Sequence, residues 1–454
     1  MSVDTSSAPP PPASRSIAPE DSRPVSPCAA RSHERPLAER FARVRDWSLR
    51  LAAPLASEDY RVQSMPDVSP PWWNLGHTSW FFAKNVLEPH AGYRFENPGL
   101  EYALNSYYET HGARLERHRR GLVSRPTTDE VLAFRSDVDE RMQVLLGGEV
   151  GGRLAFLVET GLQHEQQHQE LMVTEIKHIL GTNPPALRRA YSEPQMLEAA
   201  GPQALEWLAC DGGVRTIGAK EEEWAWDNER PRHRVFCEPF EMASRLVTVG
   251  EFAEFVDAGG YRDPLLWLAN GWAWVQEDRV RAPLYWEQRD GASVTAWTLG
   301  GLRRLDPCEP VAHVSFYEAD AYANWRAREL GDGSRLPSER EWEVAALEHG
   351  FTPAAGNFLE DAALHPRPAR AGATLQQAAG DLWEWTTSHY EAYPGYRPFD
   401  GALMEYNGKF MDNQRVLRGG SCATPRDHVR PSYRNFWPAS TQFQFTGLRL
   451  ARSR

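Results

Sequence analysis

Residues 152–180 read GRLAFLVETGLQHEQQHQELMVTEIKHIL, and this stretch sets the reading of the N-terminal half. Leu154, Leu157, Val158 and Leu162 recur at helical spacing, as do Leu171, Ile176 and Ile179 further on. That period predicts one long helix from about Gly152 to Leu180, closed by Gly181-Thr-Asn-Pro-Pro. Inside it, His164 and His168 stand four apart and share a face, so both imidazoles can reach one ion. Taken alone, the motif leaves a zinc peptidase open.

Working outward, Leu37, Phe41, Val44, Trp47 and Leu51 mark a helix that begins near Pro36. A second helix is predicted from Trp73 through Val86. A third is opened by the cap Thr127-Thr128-Asp129 and carries Val131, Phe134, Val138, Met142 and Leu145. Four amphipathic helices of this kind predict an antiparallel bundle. The second one supplies a third imidazole: His77 lies within Trp72-Trp73-Asn74-Leu75-Gly76-His77-Thr78-Ser79-Trp80-Phe81-Phe82, an apolar stretch in which a polar ring must be satisfied or bound. Three neutral imidazoles suit zinc or non-heme iron, and spacing does not choose between them. The adjacent phenols Tyr107 and Tyr108, between these helices, could serve such a metal as proton donor or radical source.

Near residues 182–207 the texture changes. Helical period gives way to short β-like runs (VRTIG, HRVFCEPFEMA, VLRGG, TGLRLA) between Gly, Pro, Asp and Asn clusters. Helices are expected at Thr248–Val256 and Phe316–Glu329, and another after the capping box Ser338-Glu-Arg-Glu341. This half reads as irregular α+β. GDLWEWT from Gly380 and VLRGGS from Val416 are specific in their Gly and Trp placement, but physics alone gives them no function.

The whole chain has 454 residues with 41% apolar and 25% charged side chains and a formal charge of −12. That is globular composition, and an acidic chain without a basic block is a poor nucleic-acid binder. No apolar run approaches a membrane span and no signal peptide is read. The five scattered cysteines, Cys28, Cys210, Cys237, Cys308 and Cys422, are not a disulfide framework and fit a reducing cytoplasm. Residues 1–35, rich in Pro, Ser and Ala, are expected to form a disordered tail. The 17 tryptophans line either pockets or a core.

HTSWFF at His77, NSYYE at Asn105, HEQQHQE at His164, then GDLWEWT, EYNGKFM, NQRVLRGGSCATP and YRNFW…FTGLRLA resemble the ergothioneine-biosynthesis sulfoxide synthases across about residues 37–454. The resemblance implies a two-domain α+β chain. A DinB-like, iron-binding four-helix bundle occupies 36–182, a linker 183–206, and a formylglycine-generating-enzyme, C-type-lectin-like domain 207–454. It implies Fe(II) held by His77, His164 and His168. It also implies O2 and hercynine (Nα-trimethylhistidine), whose imidazole C2 gains a chalcogen.

Carried over residue by residue, Gln167 and Asn435 match hercynine contacts, and Phe436 sits where an aromatic faces the trimethylammonium. Tyr108, then Tyr107, is expected as proton donor. Arg114 and Arg117 fall where relatives hold a donor carboxylate. This sequence departs from the family at Gln163, where many members have His, and at Ser440 and Gln442, where many carry a charged pair that grips an amino-acid donor. Neutral Ser440 and Gln442 beside Trp437 and Phe443 suit a sugar-like donor. That pattern is expected of the related selenoneine synthases, which couple a selenosugar to hercynine. Selenoneine synthesis is therefore the first expectation. An ergothioneine-type synthase using cysteine or γ-glutamylcysteine is the alternative. Three rivals stand beside these. A formylglycine-generating oxidase would need a cysteine pair, but only Cys422 lies in the last hundred residues. A zinc-dependent thiol transferase would not need the second half. A lectin-like binder would not need the histidines.

Overall fold

The computed structural model describes residues 35–193, 201–290, 293–372 and 374–454. The expected tail, save its last residue, and part of the expected linker lie outside them. Four helices build the N-terminal half: α1 (Leu37–Ala52), α2 (Pro71–Phe82), α3 (Thr128–Leu146) and α4 (Gly152–Thr182). The start of α3 is the one the sequence predicts. Thr127 accepts from the Glu130 backbone N–H, and the Glu130 carboxylate accepts from the Thr127 N–H. The second helix runs further than its periodicity indicates. It passes through a π-turn at Ala83–Leu87 into Glu88–Ala91. A short helix, Pro98–Leu104, was not foreseen.

What locks the four helices together is ionic as well as apolar. Glu165 of α4 is fully buried and accepts from Arg45 of α1 at 2.9 Å, Arg135 of α3 at 2.6 Å and Ser48 at 2.6 Å. Burial alone would raise this carboxyl, but the guanidinium groups of Arg135 and Arg45 bring it down to about 2. The helices also approach closely. A Cβ on Gly161 would lie 2.5 Å from the Phe82 ring, so only glycine lets α4 sit this near α2.

The second half is the irregular α+β structure expected. One antiparallel sheet joins β1 (Trp207–Cys210), β2 (Phe240–Ala243) and β7 (Ala451–Ser453) in the order β1-β2-β7. A four-stranded sheet has the order β5-β4-β3-β6. Its strands are β3 (Trp383–His389), β4 (Gln414–Arg418), β5 (Asn435–Pro438) and β6 (Thr446–Gly447), and β6 runs parallel to β3. Helices occur at Val249–Asp257, Phe316–Leu330 and α5 (Glu339–Glu348), each opened by a capping box. A further helix, Ala269–Glu277, was not predicted.

The two motifs without an assigned role are here the seat of α4. In GDLWEWT, the Trp383 indole N–H donates to Glu170 of α4, while Glu384 is fully buried and pairs with Arg449 at 2.8 Å. In VLRGGS, Gly419 holds φ +104°, and a Cβ there would meet the Ala378 carbonyl at 2.7 Å. This turn delivers Ser421 and Thr424 to Glu170 at 3.3 and 2.7 Å. The metal-motif helix is thus sheathed by bundle on one side and sheet on the other, and one apolar core runs through both halves. The tryptophans divide accordingly. Trp72, Trp80 and Trp385 are fully buried core, whereas Trp73, Trp226, Trp383 and Trp437 line a cavity.

Candidate active site

His164 and His168 project from consecutive turns of α4, and His77 projects from α2 between Trp73 and Trp80. Their candidate ligand atoms all lie within 4.8 Å of one another. Two of the rings are fixed from behind. The His77 Nδ1–H donates to the Leu104 carbonyl at 2.7 Å, which leaves Nε2 buried and unpartnered. The His168 Nδ1–H donates to Asn74 Oδ1 at 2.8 Å, and Asn74 in turn donates to Glu175 at 2.6 Å. Both nitrogens of His164 are buried without partners.

Burial depresses all three histidines, that of His164 to about 3, so each is the neutral imidazole a cation requires. Convergent buried nitrogens without hydrogen bonds are costly in a folded chain, and a divalent ion satisfies them. The donor set therefore fits a metal. Outer partners of this kind fix which nitrogen faces it. Trp73 and Trp80 stack on the two faces of His77, with centroids 4.4 and 5.7 Å away, and hold the ring's plane.

Glu165, between the two α4 histidines, is turned away from them into its arginine pairs. It cannot serve as base for a metal-bound water, so the peptidase reading of the motif is corrected: the side chain that would do the chemistry holds the bundle together.

Beside the histidines opens a cavity of about 700 Å³ between the two halves. His164 and His168 reach it, and so does Gln167, one residue before His168. Gln167 is clamped: its Nε2 donates to Tyr433 Oη at 2.7 Å and its Oε1 accepts from Tyr406 Oη. Tyr433 Oη also bonds His428 Nε2 at 2.9 Å, and His428 Nδ1 bonds Gln163 Oε1 at 2.7 Å. Gln163, the departure from the family pattern, is thus one end of a relay that orients Gln167. The amide keeps one N–H and one lone pair for a ligand. Tyr433 and His428 were not singled out by sequence reasoning, nor was Tyr406. They come from loops whose spacing carries no period.

From the other half, Asn435, Phe436, Trp437, Ser440, Gln442 and Phe443 line the same cavity. Two of these differ from expectation. One face of Phe436 is covered by Tyr390, stacked at 4.0 Å and 12°, so a cation can use only its other side. Gln442 is not a free amide, because its Nε2 donates to the buried Glu318 at 2.8 Å. Of the tyrosine pair, Tyr107 lines the cavity, whereas Tyr108 lies fully buried behind it, the rings stacked at 4.7 Å. Burial raises both phenols well above their usual range.

Arg114 and Arg117 line the opposite wall, joined by Arg120, which sequence reasoning passed over. Arg120 is buried with its guanidinium over Trp73, 3.2 Å from the ring centroid, and bonds Ser69 and Ser106 rather than a carboxylate. His178 also reaches this cavity but bonds Ser64 at 2.6 Å.

Comparisons with known proteins give the chain a family. The sulfatase-modifying factor enzyme 1-like domain matches residues 194–363 and 367–454. The hercynine oxygenase of Mycolicibacterium thermoresistibile is 32% identical, over 92% of this chain and 95% of that protein. This chain belongs to the hercynine oxygenase family. The Mycolicibacterium smegmatis hercynine oxygenase is likewise 32% identical, over 91% of this chain and 98% of its own. Ergothioneine biosynthesis protein 1 of Schizosaccharomyces pombe is 27% identical over 51% of this chain, though over only 28% of its own length. Of the expected halves, the family model covers the second, and the histidines of this hercynine oxygenase family member lie on the helices that precede it.

Proposed function

We propose that this protein is an O2-dependent oxygenase of hercynine that joins a chalcogen to C2 of the imidazole. Fe(II) would be held by His77, His164 and His168. The observation that carries the reading is the convergence of three neutral imidazoles, two of them oriented by outer partners, beside a cavity lined from the other half by Asn435, in a chain alike over nearly its full length to hercynine oxygenases. The reading keeps an iron-binding bundle at 36–182, a linker at 183–206 and a catalytic partner domain at 207–454, with the reaction at their junction. Such clefts are common ligand sites.

When bound, iron supplies oxygen activation and a meeting point for the reactants. The remaining tasks fall to the chain. Gln167, held by Tyr433 and Tyr406, presents a fixed donor and acceptor to hercynine. Asn435 approaches the same substrate from β5, and the open face of Phe436 with Phe410, 6.0 Å away, offers aromatic surface to the quaternary ammonium. Tyr107 lines the cavity with a phenol that burial keeps protonated, so it can deliver a proton there. Tyr108 stacks behind it and fixes its plane. This reverses the order expected for the two tyrosines. Asn435→Ala is expected to weaken hercynine binding by about 1–3 kcal/mol, the cost of stranding a buried polar partner. Anaerobic calorimetry measures this, and unchanged affinity would place the pocket elsewhere.

The donor follows from the cavity's other wall. Arg114, Arg117 and Arg120 give it positive charge, and an amino-acid thiol brings the carboxylate such groups bind. With relatives named for hercynine and ergothioneine, this favours cysteine or γ-glutamylcysteine and a C–S bond. One observation supports a second reading: Ser440 and Gln442 place neutral groups where a charged pair is expected, which suits a selenosugar and selenoneine synthesis. The deciding experiment offers Fe(II)-loaded protein hercynine, O2 and equal amounts of cysteine, γ-glutamylcysteine and a selenosugar, and weighs the products. An amino-acid thiol is expected to win by at least about tenfold in kcat/KM, or about 1.4 kcal/mol. Selenosugar preference of that size establishes the second reading. No hercynine product from any donor overturns both.

A further inference from the structure

A second set of metal-ligating side chains lies away from the cavity, where α5 ends against the edge of the β1-β2-β7 sheet. Cys210 closes β1 and is fully buried, Glu348 is the last residue of α5, and His349 caps it. One ligand atom from each lies within 4.8 Å of the other two, and Cys210 Sγ is 3.5 Å from His349 Nε2. None of the three lines the large cavity or belongs to the three-histidine group.

Four features favour a cation here. A buried thiol, an imidazole and a carboxylate converge there from β1 and from the end of α5, the sulfur in contact with the imidazole nitrogen. The C-terminal end of a ten-residue helix, with its partial negative charge, points at the same spot. The carboxylate is already oriented by an outer partner, since Arg215 contacts Glu348 at 3.2 Å and donates to the Asp211 carbonyl at 2.6 Å. Finally, Glu348 is exposed and His349 half-exposed, so an ion can enter from solvent.

We propose that Cys210, Glu348 and His349 form a second metal site, selective for a thiolate-tolerant divalent ion of the Zn(II) class. Sulfur, nitrogen and oxygen in one set exclude the hard cations magnesium and calcium, and three protein ligands leave a fourth position for water. Binding releases one proton: the Cys210 S–H bond breaks, a sulfur–metal bond forms and no electron is transferred. The bound ion staples the end of α5 to β1. That helix also carries Glu339, which grips Arg434 at 2.9 and 3.0 Å directly before Asn435, so the staple braces the floor of the large cavity.

The test is a Co(II) titration of the full-length, chelator-treated protein. A sulfur-to-cobalt charge-transfer absorption is expected to grow to one equivalent, a signal that an all-imidazole site cannot give. Cys210→Ser should abolish it, and Glu348→Gln, a change at an exposed position, should weaken cobalt binding at least about tenfold. Cys237→Ser should leave it intact. Zn(II) should raise the melting temperature of the His164→Ala variant as it does that of the wild type. A wild type without the band at saturating cobalt, or a band that survives Cys210→Ser, overturns the site and leaves a packed thiol–imidazole contact in its place.

Discussion

Replacing His164 by Ala removes bound iron and lowers turnover of hercynine by at least about 100-fold, while the circular-dichroism spectrum stays that of the wild type. The size follows from the geometry. Loss of even an outer partner of a metal ligand costs 10–100-fold in affinity or activity, and His164 belongs to the ligand group itself. Retention of the fold follows too. His164 makes no hydrogen bond with either ring nitrogen, so the variant loses packing against Phe81, 4.6 Å away, but no network. Deleting a buried ring costs a few kcal/mol in a core, and removing two stranded polar atoms offsets part of it. Iron content by mass spectrometry and product yield are read together. A variant that still binds iron stoichiometrically and turns over at the wild-type rate would show that the three imidazoles do not form the centre.

Much of this centre was legible because helices write their geometry into spacing. His164 and His168 share a face by period alone, and Thr127 and Ser338 announce their helices through caps that the structure reproduces. His77 was legible for a different reason: a polar ring amid Trp73, Trp80 and Phe81 requires a partner. What did not show in the sequence is whatever loops supply. Tyr406, Tyr433 and His428 meet Gln167 and Gln163 across more than two hundred residues, and no local rule sets that register.

The Phe436 face and the Gln442 amide were misjudged for a related reason. Residue type gives capacity, but Tyr390 and Glu318 had already engaged it. The helix Ala269–Glu277 was missed because it has no side-chain cap and buries only Gly271 and Val275, too thin a stripe to give a period. Glu165 is the sharpest case. Its position between two histidines fits a catalytic base, and only the arginines of α1 and α3, remote in sequence, show which way it faces.

Glu165→Leu is accordingly expected to act on stability before it acts on chemistry. The variant leaves Arg45 and Arg135, both buried, without the carboxylate that neutralises them. Arg45 retains Asp139 at 2.5 Å, but the described bonds of Arg135 other than Glu165 go to Leu75 and Arg45 carbonyls and the Thr78 hydroxyl, none of them charged. Breaking a buried ion pair by removing one partner costs about 3–5 kcal/mol, because the remaining charge has been taken out of water without compensation. Against the 5–15 kcal/mol typical of a folded domain, that is a large share. The melting temperature should fall by several degrees and soluble yield with it. Glu165→Gln, which keeps shape and one acceptor but not the charge, should lie between wild type and leucine. A catalytic base gives the opposite pattern: glutamine would then melt like the wild type and be inactive. If Glu165→Gln shows wild-type stability with lost turnover, the ion-pair role is wrong and the carboxylate faces the metal during the reaction. If stability falls in the order wild type, glutamine, leucine, and folded Glu165→Gln still binds iron, then the residue in the middle of the metal motif exists to hold three helices around the site.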